Sequence, residues 1–122
     1  MSTPHFTDAE LRCRCGCGLL PPPAFQTELE ALRLEYGAPM KLSSCYRCPD
    51  HNEEVSSTGR DGPHTLGAVD VLVYGQHAWK LLGVAMRYGW QGIGVSQKGP
   101  RASRFLHLDR LTEGTRPWVW SY

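Results

Sequence analysis

Gly62-Pro63-His64-Thr65-Leu66-Gly67-Ala68-Val69-Asp70-Val71-Leu72-Val73-Tyr74 is the stretch around which the rest of the chain arranges itself. Its second half, Val69 to Tyr74, is rich in β-branched residues and predicts a strand. Before it, Ser56 to Pro63 is rich in Ser, Gly and Asp and predicts a loop. His64 therefore ends a glycine-rich loop, and Asp70 lies in the strand that follows.

Upstream, Phe25, Leu29, Leu32 and Tyr36 recur at helical spacing and predict a helix from about Ala24 to Tyr36, ended by Gly37 and Pro39. Pro21-Pro22-Pro23 separates it from a Cys/Gly-rich head, residues 1–20. Met40 to Ser44 reads as a short strand, and Pro49 opens a second helix through Glu54. Downstream, Gln76 to Tyr88 reads as a helix, with Trp79, Leu82, Val84 and Met86 as apolar surface and Gly89 just past its end. Gly92 to Val95 is a short strand, Ser96 to Ser103 a polar loop, and Phe105 to Leu111 another strand. Trp118 to Tyr122 reads as an edge strand because Pro117 stands at its start. Helices packed on a mostly antiparallel sheet make an α+β fold, expected as a single domain over residues 1–122.

A chain of 122 residues fits one domain and buries a core without needing disulfides to fold. With 41% hydrophobic and 20% charged residues it has the composition of an ordinary globular protein. A net charge of +1 is low for a protein that holds nucleic acid by counterion release, so no nucleic-acid partner is expected. No run approaches the roughly eighteen apolar residues of a membrane span, so no membrane partner is expected either. Met1 to Leu11 lacks the basic start and apolar run of a secretory signal, which predicts synthesis in a cytoplasm without a signal peptide. A monomer is expected.

Five histidines occur: His5, His51, His64, His77 and His107. His107 lies in Arg104-Phe105-Leu106-His107-Leu108-Asp109, where it and Asp109 face the same side of a strand. Two imidazoles and a carboxylate are a sensible ligand set for a catalytic zinc, because three protein ligands leave a fourth position for water. The alternative is that His64 caps a turn and His107 is a satisfied strand residue. His51 and His77 fall on predicted helices as solvated residues, and His5 in a terminus expected to be mobile.

Ser43-Ser44-Cys45-Tyr46-Arg47-Cys48-Pro49-Asp50-His51-Asn52 resembles the "SGYRCPEHN" segment of zinc D-alanyl-D-alanine carboxypeptidases and the related phage L-alanyl-D-glutamate endolysins. Gly62 to Asp70 resembles their His/Asp zinc segment. Gly92-Ile93-Gly94-Val95 with Arg104 to Asp109 resembles their closing "GIGV…RFIHLD" segment. The three motifs occur in the family's order, and the resemblance spans roughly Phe6 to Asp109. It implies the α+β zinc fold shared with the signalling domain of hedgehog proteins, and a metallopeptidase that hydrolyses peptidoglycan stem peptides. The bond cut is either that between two D-alanines or that between L-alanine and D-glutamate. Action on the bacterial cell wall, in phage lysis or delivered with a phage tail, goes with that substrate. Residue by residue, His64, Asp70 and His107 fall on the zinc ligands. Arg47 falls on the arginine that polarises the scissile carbonyl or steadies the oxyanion, a role suited to a fixed charge with rigid donors. Its alternative is a loop salt bridge.

Two features depart from the family pattern. The step from His64 to Asp70 is one residue shorter than usual, which predicts a tighter turn or a bulge that re-aims the aspartate. Relatives commonly carry a Glu or Asp where this chain has Arg104. Asp109 is then the nearest carboxylate, either taking a proton from the attacking water or orienting a ligand histidine from behind. Both departures favour a rival, a non-catalytic zinc-containing module of the same fold that binds peptidoglycan.

Cys13, Cys15, Cys17, Cys45 and Cys48 are odd in number and cannot all pair within the chain. They offer thiolates for a second, structural zinc; disulfides tying the head to the Arg47 loop and free thiols are the alternatives. A second rival makes these cysteines the main site, a zinc module contacting protein or nucleic acid, against which the low charge argues. A cysteine nucleophile is not expected, because a thiol enzyme has no need of the His/Asp/His set. Trp79, Trp90, Trp118 and Trp120 read as packing or as the lining of a groove. Lys98, Arg101 and Arg104 form a basic loop, either solvated or facing anionic wall peptides.

Overall fold

Thr7 caps a one-turn helix, α1 (Asp8–Leu11), in a reciprocal arrangement: Glu10 N–H donates to the Thr7 hydroxyl, and Thr7 N–H donates to the Glu10 carboxylate. This is the first element of the computed structural model, which describes residues 3–112 and 114–122. Helix α2 (Pro23–Tyr36) begins on the last of three prolines, where a missing N–H is harmless, and ends on Gly37 in the left-handed region. Strand β1 (Lys41–Ser44) leads to α3 (Pro49–Val55), and a single turn, α4 (Pro63–Leu66), precedes β2 (Ala68–Leu72). Helix α5 (Gly75–Arg87) then crosses back to β3 (Gly92–Ser96). A 3-10 turn at Arg101–Ser103, β4 (Phe105–Asp109) and β5 (Trp118–Ser121) complete the order.

Among the described residues, five strands form one sheet in the order β1-β2-β4-β3-β5, antiparallel throughout except for the β3–β5 edge pair. The fold is α+β. Val69, Val71, Ile93, Leu106 and Leu108 turn from the sheet into a core shared with Leu29 and Leu32 of α2 and Leu81 and Ala85 of α5. Burying each such leucine contributes on the order of 2 kcal/mol. Strand alternation sends the intervening residues, Asp70, His107 and Asp109, to the opposite face. That face carries the site.

Several elements differ from the sequence-based expectation. Helices α1 and α4 and the 3-10 turn fall in stretches read as head or loop. They are one turn or less, too short to show a helical period. Strand β4 stops at Asp109 rather than Leu111, because Asp109 accepts a hydrogen bond from Leu111 N–H and turns the chain away. His5 is not loose: its backbone N–H donates to Glu30, and its ring pairs with the same carboxylate. Among the described residues, no helix is long and apolar enough to cross a membrane.

The joint between α4 and β2 is a sharp turn at Gly67. Gly67 adopts φ +149°, ψ 94°, which side-chain-bearing residues avoid, and a Cβ there would stand 2.9 Å from the Phe25 ring. Gly67→Ala is therefore expected to lower the unfolding free energy by about 1–3 kcal/mol in urea titrations. Gly83→Ala, on the exposed side of α5 with open space around it, is expected to raise it by about 0.5–1 kcal/mol. Equal effects from the two substitutions would contradict the assignment of strain to Gly67.

Candidate metal centre

Strands β2 and β4 pair so that Asp70 stands directly opposite His107. The α4 turn brings His64 to the same point from the other direction. One ligand atom from each of His64, Asp70 and His107 lies within 4.8 Å of the others. His64 Nε2 is 3.3 Å from Asp70 Oδ2, and His107 Nδ1 is 3.2 Å from Asp70 Oδ1. The two imidazoles meet edge to face, with centroids 5.1 Å apart and planes at 77°. The short step between His64 and Asp70 is absorbed by the turn at Gly67. A bulge is also present, but on the neighbouring strand β1, between Leu42 and Ser44, where Ser44 pairs with Asp70.

The second nitrogen of each ring is already used. His64 Nδ1 lies 2.6 Å from the Cys45 carbonyl, which can only accept, so this nitrogen carries the hydrogen. His107 Nε2 donates to Asp109 Oδ2 over 2.8 Å. In their neutral forms both rings therefore turn a lone pair toward the Asp70 carboxylate. Lone pairs facing carboxylate oxygens at 3.2–3.3 Å repel unless a cation or added protons stand among them. The donor set thus fits a divalent metal, with two imidazole nitrogens and a carboxylate on one small locus and each histidine tautomer fixed from behind.

Electrostatics agree with this arrangement. Burial acts to raise the pKa of Asp70, but the hydrogen bonds and positive charge that His107 and His64 offer when protons fill the facing nitrogens outweigh it and hold the carboxyl below the usual carboxylate range. Burial also opposes charge on His107, yet its bonds to Asp109 and Asp70 raise its pKa. Asp109 is fully buried; against that burial, His107 and Arg116 pull its pKa down to about 2. Arg116 grips both Asp109 oxygens, at 3.1 and 2.7 Å.

Two glycines of β3 make room for these groups. Gly92 pairs with Asp109, and a Cβ on it would stand 2.2 Å from the carboxylate. Gly94 pairs with His107 on one side and Trp120 on the other, and a Cβ there would meet the indole at 2.6 Å. The Trp120 ring lies 5.0 Å from the His107 ring.

The three residues open onto a cleft of about 470 Å3, also lined by Arg47, Asn52, Trp120 and Tyr122. Arg47 donates to Asn52 Oδ1 over 3.1 Å, and its backbone N–H donates to the His64 carbonyl. Asn52 is buried, and its amide donates to the Thr58 hydroxyl and the Gly59 carbonyl. Arg104 donates instead to the Gly99 carbonyl and does not line the cleft. Asn52, Arg116 and Tyr122 are not assigned to the site from sequence, whereas Trp120 takes the groove-lining alternative read for the tryptophans. Asn52 ends the Ser43–Asn52 motif, which was a usable signal. Of the other tryptophans, Trp90 is buried, whereas Trp79 and Trp118 are exposed.

Residues 4–109 match the sequence model of the family described as Peptidase M15. Neither the curated proteins nor the solved structures give a match.

Asp109→Asn keeps an acceptor for Arg116 but loses the charge that holds His107. It is expected to weaken zinc binding by about 10–100-fold in competition with a chromophoric chelator. In metal-free protein, Asp109 contributes stability that is present above its ordinary pKa of 3.8 and lost as pH falls toward about 2. Asp70 acts in the same direction, and His107 in the opposite one, its contribution being lost as pH rises through its elevated pKa. Urea midpoints of the metal-free wild type should therefore drop between about pH 4 and pH 2 more steeply than those of Asp109→Asn. Parallel curves would remove Asp109 from the account.

Proposed function

The chain belongs to the peptidase M15 family of zinc-dependent metallopeptidases, and from that premise we propose that it hydrolyses an amide bond in peptidoglycan stem peptides. The observation that carries the reading is the convergence of His64, Asp70 and His107 at a cleft with Arg47 on its wall. Zinc bound there supplies Lewis acidity and lowers the pKa of water. The protein's part is positional. The Cys45 carbonyl and Asp109 hold the two imidazoles in the tautomers that face Asp70. Arg47, steadied by Asn52, places a fixed positive charge where the carbonyl oxygen of a bound peptide gains negative charge. Trp120 and Tyr122 give the cleft apolar surface for the peptide. Burial raises the Tyr122 pKa, so its phenol stays a hydrogen-bond donor.

Asp109 is read here as a positioning residue. It is fully buried, and its oxygens are occupied by His107, Arg116 and Leu111 N–H, so it is not free to take a proton from water in the cleft. Asp70 is the one carboxylate lining the cleft among the described residues. That observation favours a second reading, a wall-peptide-binding module that keeps the metal without turnover. Both readings place the protein at the bacterial cell wall, with phage lysis or tail delivery as the setting that the resemblance implies.

Defined stem peptides incubated with zinc-loaded protein, with and without chelator, separate the two. Hydrolysis is expected, seen by mass spectrometry as a chelator-sensitive loss of alanine or a cut after L-alanine. Arg47→Ala is expected to reduce kcat by about 10²–10³-fold with zinc content unchanged. Zinc-loaded protein that binds the peptides in calorimetry but cleaves none would overturn the peptidase reading in favour of the module.

A further inference from the structure

A second cluster, separate from the His/Asp/His group, joins the N-terminal head to the residue after Arg47. All five cysteines are unpaired thiols, and four of them, Cys13, Cys15, Cys17 and Cys48, bring their sulfurs within 4.8 Å of one another. Three of the separations are 3.4 Å (Cys13–Cys15), 3.6 Å (Cys15–Cys48) and 3.7 Å (Cys13–Cys48). A disulfide requires about 2.05 Å. A tetrahedral ion with metal–sulfur bonds of about 2.3 Å spaces its sulfurs roughly 3.8 Å apart, and these three separations fall close to that edge length. The fifth cysteine, Cys45, is buried apart from the group, and burial pushes its thiol up to about 12.

From this geometry we propose that Cys13, Cys15, Cys17 and Cys48 hold a structural zinc ion that clamps the N-terminal head to the loop carrying Arg47.

Backbone amides support the assignment. Cys48 N–H donates to Cys13 Sγ, Leu19 N–H to Cys17 Sγ, and His51 N–H to Cys48 Sγ. Amides aimed at sulfur favour the thiolate, the form that binds metal. Gly16, at positive φ, lets the Cys13–Cys17 segment curl tightly enough to present three sulfurs from five residues. Four soft thiolates gathered within 4.8 Å of one another select zinc over hard cations. The fourth sulfur is placed where it has mechanical consequence. Cys48 follows Arg47 and caps α3, which carries Asn52, and the adjacent Tyr46 N–H donates to the Leu11 carbonyl of the head. An ion at the cysteines therefore fixes both ends of the Arg47 segment, which is otherwise tied down at the His64 carbonyl and Asn52.

The test counts metal rather than turnover. Protein purified under reducing conditions is expected to carry about two zinc ions per chain. His107→Ala, which opens the other centre, should retain about one, and its cobalt-substituted form should show the thiolate-to-cobalt charge-transfer absorption of a tetrahedral sulfur site. Cys15→Ser with Cys17→Ser should lose that absorption and one zinc. In case those variants fold poorly, an organomercurial titration of wild type provides the same answer. One zinc should leave as four thiols are modified, the other staying until a chelator is added. The proposal is overturned if His107→Ala holds no zinc, or if its cobalt form lacks the charge-transfer band. It is equally overturned if four thiols of native wild type react without releasing metal, or if non-reducing mass spectrometry finds them in disulfides. Failure of the His/Asp/His centre reads differently, as zinc content unchanged by His107→Ala.

Discussion

The register between β2 and β4 is the constraint on which the site depends. Asp70 and His107 are directly opposed, Ala68 pairs with Asp109, and Gly94 completes the row through His107 to Trp120. A slip of one residue in an antiparallel pair would turn each side chain of the slipped strand to the other face. Here it would drive Asp70 or His107 into the leucine core and bring Val71 or Leu106 to the cleft. The core therefore enforces the site: Val69, Val71, Leu106 and Leu108 cannot be buried without delivering the polar residues between them to the opposite side.

Charge then organises that opposite side. Arg116, Asp109, His107, Asp70 and His64 form a continuous chain of contacts, mostly out of water. Desolvating this many ionisable groups is costly unless each finds a partner. Each does, except that the inner nitrogens of the two histidines face a carboxylate with no proton of their own when the rings are neutral. The residual mismatch is what a divalent cation cures. Arg116 has a second function in this chain: its guanidinium lies over the Trp120 ring, 5.3 Å from the centroid, and so links the buried carboxylate to the aromatic wall of the cleft.

Much of this was legible in the sequence, and the illegible part has a physical explanation. The strands and the two long helices announce themselves through period, β-branching and breakers, all of which are local. His64, Asp70 and His107 are picked out by the motifs that resemble the family's zinc segments, since the residues alone leave a turn cap and a satisfied strand histidine open. What local patterns do not carry is the partner of a buried group. The Asp109–Arg116 pair joins a strand end to the approach to β5, and the Arg47–Asn52 bond joins a loop to the first turns of α3. The one-turn helices α1 and α4 are stabilised by a cap and by packing, so no periodicity marks them, although Thr7 and Glu10 had the spacing of a capping box.

The glycines were the least informative residues in the sequence and are among the most constrained in the structure. In β3, Gly92 and Gly94 look like weaknesses in a strand, since glycine gives up packing and adds entropy to the unfolded chain. Their absent side chains are occupied space: one holds the Asp109 carboxylate and the other the Trp120 indole. Gly67 does the equivalent for direction. Its backbone conformation turns the chain sharply enough for His64, only six residues before Asp70, to face that aspartate from a different element. A shorter step between two ligands thus demands a sharper turn rather than a lost ligand. Since the sharp turn is available only to glycine, the shortened spacing and Gly67 are one feature of the chain.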